Sequence, residues 1–104
     1  MTCACAEPPF HYLSFERVAL GMDPFHADVS IETCKACGTA WLVYLIEQEH
    51  QSRSGRWWRV PMSIGERPAL ANARRFVQEA AWCFVGGSFH ASTGRRAKAP
   101  IVVQ

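Results

Sequence analysis

The sequence predicts a single α+β domain over residues 1–104, with an antiparallel sheet of four or five strands and one main helix packed on one face. Three observations predict it. Residues 28–33 alternate apolar Val29 and Ile31 with Asp28, Ser30 and Glu32, and residues 40–46 are apolar on both alternating faces. From Pro68 onward, Leu70, Ala73, Phe76, Val77, Ala80 and Ala81 recur at a helical period. Four of the five cysteines fall in two tight pairs, Cys3 with Cys5 and Cys34 with Cys37, the pattern of a metal clip.

In chain order, Pro8 and Pro9 separate the first cysteine pair from an aromatic run over residues 10–18 that fits a first strand. Gly21, Asp23 and Pro24 supply turn chemistry, since the residue before proline is biased away from helix. The alternating strand over 28–33 then delivers Cys34 into a turn. Residues 40–46 belong in the middle of the sheet, because only a strand buried on both faces can be apolar on both. The polar stretch 47–55 reads as a hairpin loop, and 56–62 as its far arm. Pro61 cannot donate to a ladder, which places that strand's end at an edge or past the pairing. The helix is expected from about Pro68 to Trp82; residues 82–85 extend it or begin a strand, and Gly86 and Gly87 stop it. Ile101, Val102 and Val103 could add a short last strand.

Cys34-Lys35-Ala36-Cys37-Gly38 is the stretch that carries chemistry. Two residues between the cysteines let the chain double back and aim both sulfurs at one ion, and Gly38 takes a positive φ at little steric cost. A tetrahedral site needs four ligands, and alternation in an extended segment puts Cys3 and Cys5 on one side. Cys34, Cys37 and Gly38 resemble the knuckle of zinc-ribbon and rubredoxin-like proteins, a likeness covering roughly the first 45 residues. The usual partner there is a second C-x-x-C; here it is C-x-C, so His26 or His11 stands as an alternative ligand. The expected cofactor is a structural Zn2+, and four thiolates also suit iron. Four thiolates leave no open position for water, so the site would staple the fold.

At 104 residues the core has little to spare, and a metal would contribute directly to folding. No apolar leader core follows Met1 and no run of about 18 apolar residues occurs, so a cytoplasmic location with reduced thiols and no membrane span is expected. Charge is divided unevenly. Residues 1–52 carry two basic against seven acidic side chains, leaving −5, and residues 53–104 carry nine against two, leaving +7. The net +2 is consistent with two halves that neutralise each other on folding.

The leading functional expectation is a small protein-binding module, an inhibitor or immunity-type protein, with Trp57, Arg59 and Arg56 in its contact surface. Trp57 and Trp58 point to opposite faces of a strand, so one of them is left for a partner or for the sheet surface. The alternative is a nucleic-acid-binding zinc ribbon using Arg53, Arg56, Arg59, Arg74, Arg75, Arg95, Arg96 and Lys98. A third reading is an enzyme built on the Gly86-Gly87 loop with Ser88 and His90. No phosphate-loop, zinc-protease or nucleophile-elbow motif supports it. Cys83, between Trp82 and Phe84, reads as a small core hydrophobe.

Overall fold

The computed structural model describes residues 12–46, 55–63, 65–87 and 94–103. The described residues form one six-stranded antiparallel sheet in which spatial order equals sequence order: β1 (Phe15–Met22), β2 (Asp28–Cys34), β3 (Ala40–Ile46), β4 (Arg56–Pro61), β5 (Trp82–Gly87) and β6 (Arg95–Lys98). One helix, α1 (Ala73–Gln78), follows a 3-10 turn at Leu70–Asn72. The expected α+β class with four or five strands and a main helix is therefore corrected to a sheet-dominated fold with six strands and a short helix.

The helix is short for two reasons. It begins at Asn72 without a side-chain cap, and the residues from Trp82 onward form β5 instead of continuing it, with Trp82–Val85 paired to β6 and Phe84–Gly87 to β4. Trp82, Cys83, Phe84 and Val85 are aromatic or suited to a pleated surface, so cross-strand packing overrides helical period. Of the expected stripe, Ala73 and Val77 in the helix are fully buried and Phe76 packs against the same core, as do Leu70 before it and Ala80 after it, whereas Ala81 is exposed.

The first strand starts at Phe15 and runs through Gly21, where a register shift between Ala19 and Gly21 bulges it; the expected turn falls later, at residues 23–27. There Asp23 Oδ1 accepts from the backbone N–H groups of Phe25 and Ala27, each at 2.9 Å. β3 is central, with Trp41, Leu42 and Tyr44 almost wholly buried. Pro61 ends β4 beyond the last β4–β5 pair, at Arg59 and Phe84, as its missing N–H requires. Ile101 and Val103 form no strand; they are buried in the core, and the last strand is β6.

Strand alternation divides the interior in two. Val29, Ile31, Leu42, Tyr44, Trp58, Val60 and Cys83 face α1 and the C-terminal segment. On the opposite face Phe15, Cys34, Trp41 and Phe84 form a second cluster, joined by Trp57 and Trp82.

Candidate interaction surface

The turn at Cys34 has the expected local form but joins β2 to β3 of the large sheet. Gly38 N–H donates to Cys34 O at 2.9 Å, Cys34 N–H to Thr39 O at 2.9 Å, and Gly38 takes φ +80°. Cys34 is buried beneath the aromatic cluster, whereas Cys37 is exposed, its thiol donating to Thr39 Oγ1 at 3.2 Å. Among the described residues no three His, Cys, Asp or Glu side chains converge, so the zinc-ribbon-like knuckle expected as part of the fold is not formed by them. Cys3, Cys5 and His11 lie outside the described residues. His26 sits exposed at the β1–β2 tip with φ +65°, and β2 separates it from Cys34 by about 20 Å at the usual strand rise, so the two cannot meet at one ion.

The three residues expected to face a partner separate. Trp57 and Arg59 lie on the aromatic face and Arg56 on the face of α1. The Trp57 indole is half-buried over Gly86 and Gly94, with Nε1 donating to Gly87 O at 3.1 Å. It fills the space that a Cβ at either glycine would need, which is the reason for two glycines beside it. Gly86 thereby has a packing role, and Ser88 and His90 of the enzyme reading lie outside the described residues. Arg59 is 4% exposed, bonded to Glu32 Oε1 at 3.0 Å and held over Phe15 at 4.6 Å.

Two more arginines of the basic half are engaged within the fold. Arg74 lies 4.3 Å over the Phe25 ring and donates to Val103 O at 2.9 Å, while Arg75 pairs with Glu79 at 2.8 Å. Arg74 also reaches the buried Tyr44–Asp23 pair, a cluster that sequence reading missed because its members lie on three separate elements. Burial, and then the hydrogen bond to Asp23, push the Tyr44 hydroxyl far above its usual range. Burial pushes the Cys83 thiol up to about 11, which makes it a poor nucleophile.

Arg67 lies on the loop before the helix and Arg53 outside the described residues, whereas Arg56, Arg95, Arg96 and Lys98 lie on strands at one end of the sheet. Because the strands lie in sequence order, the charge asymmetry of the chain becomes a gradient in space. β1 and β2 hold Glu16, Asp28 and Glu32 against Arg17. β4, β5 and β6 hold Arg56, Arg59, Arg95, Arg96 and Lys98 and no carboxylate, and none follows Glu79 in the sequence. Among the described strands, Arg59 and Glu32 join the two halves, while Arg95, Arg96 and Lys98 stand at the end of the sheet away from β1 and β2. Arg56, Arg95, Arg96 and Lys98 are exposed. Arg96 stacks 4.2 Å over Trp82, whose ring also meets Trp41 and Phe84 edge-on.

No helix among the described residues is long and apolar enough to cross a membrane. No protein-family model, curated protein or solved structure matches the chain.

Proposed function

We propose that the chain is a protein-binding module that docks an acidic partner at the β6 end of its sheet. The observation that supports this reading is the charge gradient: Arg95, Arg96 and Lys98 occupy three of four positions on β6, and the neighbouring strands carry no carboxylate to neutralise them. Cations gathered at one end of a domain steer acidic partners and raise their rate of encounter. A protein partner is favoured over single-stranded nucleic acid because Trp82, the aromatic ring nearest these cations, already carries Arg96 on its face and two rings at its edges. An inhibitor or immunity-type role would use the same surface to cap a partner.

The test is titration of the full chain with polyglutamate and, separately, with a single-stranded oligonucleotide over a range of salt. Polyglutamate binding that weakens with salt and is lost in the R95E/R96E/K98E variant is expected. Tighter binding to the oligonucleotide, or polyglutamate binding unchanged in the variant, rejects the reading.

We further propose that Cys34 and Cys37, with Cys3 and Cys5, hold a structural metal. The C-x-x-C turn with its positive-φ glycine supports two of these ligands. The metal would tie the N-terminus to the β2–β3 connection, at the far side of the sheet from β6.

A further inference from the structure

We infer that β6 accepts an extended acidic segment of the partner as a seventh strand, with carboxylates on one face of that strand and apolar side chains on the other. This rests on the proposed docking of an acidic partner and adds its conformation and residue pattern. β6 is the edge of the sheet and pairs, among the described residues, with β5 alone. Alternate residues of such an edge turn their N–H and C=O groups outward, where another strand can bond to them.

Register defines what each face would read. Arg96 pairs with Phe84 and Lys98 with Trp82, both on the aromatic face, so an added strand would meet two cations there. Arg95 and Ala97 lie on the other face, where a cleft of about 270 Å3 is lined by Val85, Ala97 and Ile101 together with the cations Arg56 and Arg95. Val102, 64% exposed, adds apolar surface to the cleft. An alternating strand would therefore place carboxylates toward Arg96 and Lys98 on one face, and on the other aliphatic side chains toward the apolar part of the cleft, between Val85, Ala97, Ile101 and Val102.

Edge protection alone does not account for this charge. A four-residue strand is already a poor template for aggregation, and three of its residues are cationic. The other edge, β1, is eight residues long and carries one cation, Arg17.

The experiment compares binding of the full chain to a peptide alternating Glu and Val, a peptide of the same composition with its Glu and Val in two blocks, and an alternating peptide N-methylated along one edge. The alternating peptide should bind at least about tenfold tighter than the other two, and R96E/K98E should abolish the difference. Equal binding of all three, still lost on charge reversal, overturns strand addition while leaving the acidic-partner reading in place. No binding of any peptide or of polyglutamate overturns both.

Discussion

The Arg59 guanidinium lies 3.0 Å from Glu32 Oε1 across two strand boundaries, 4.6 Å from the centre of the Phe15 ring and 5.7 Å from that of Trp41. Arg59 is thereby an internal tie between β4 and β2. Position on the strand decides this: Arg56, three residues earlier, falls on the other face and is exposed.

Removing the carboxylate should expose the cost of that burial. Glu32→Ala leaves a guanidinium charge with 5% side-chain exposure deprived of its counter-ion, and a loss of about 3 kcal/mol is expected. Urea denaturation checks it. Glu32→Gln, which keeps an acceptor, should lose less; equal stability of wild type and Glu32→Ala would show that the pair contributes nothing.

The Trp57 ring rests where a Cβ on Gly86 would stand, so Gly86→Ala must displace the indole or bend β5. A destabilisation of about 1–3 kcal/mol follows from overpacking. Trp57→Ala in the Gly86→Ala background should recover part of it, because the clash is then gone. A double-mutant cycle in thermal denaturation reads the coupling, and strict additivity would refute the contact.

Alkaline pH should weaken the fold. Cys83 titrates near 9 when unfolded and near 11 when folded, so the unfolded state loses its proton first. Stability from this thiol is intact below pH 9 and falls as pH rises toward 11; Tyr44, also raised, extends the fall above pH 10. In Cys83→Ala the decline between pH 9 and 10 should flatten. A slope in that variant equal to the wild-type slope would remove Cys83 as its cause.

For the metal proposal, native mass spectrometry should find one zinc per chain. A chelator should remove it, lower the melting temperature, and speed alkylation of the exposed Cys37. A metal-free protein with unchanged melting behaviour would end the staple idea.

Local pattern alone specified the β2 and β3 strands, the C-x-x-C turn with its left-handed glycine, the opposite orientations of Trp57 and Trp58, and the core position of Cys83. Each follows from period-two alternation or from the geometry of a few adjacent residues. Tertiary pairing decided the rest. Trp82 and its neighbours were open to helix or strand until β4 and β6 offered ladders, and the charge asymmetry was open to cancellation until a sequential meander set Arg95, Arg96 and Lys98 at one edge and left Arg59 to reach across to Glu32. Arg59, Arg74 and Arg96 are the same residue type on neighbouring stretches of one basic half. Only the face and edge assigned by long-range pairing make the first a buried tie, the second a clamp on Val103 and the third part of a charged edge.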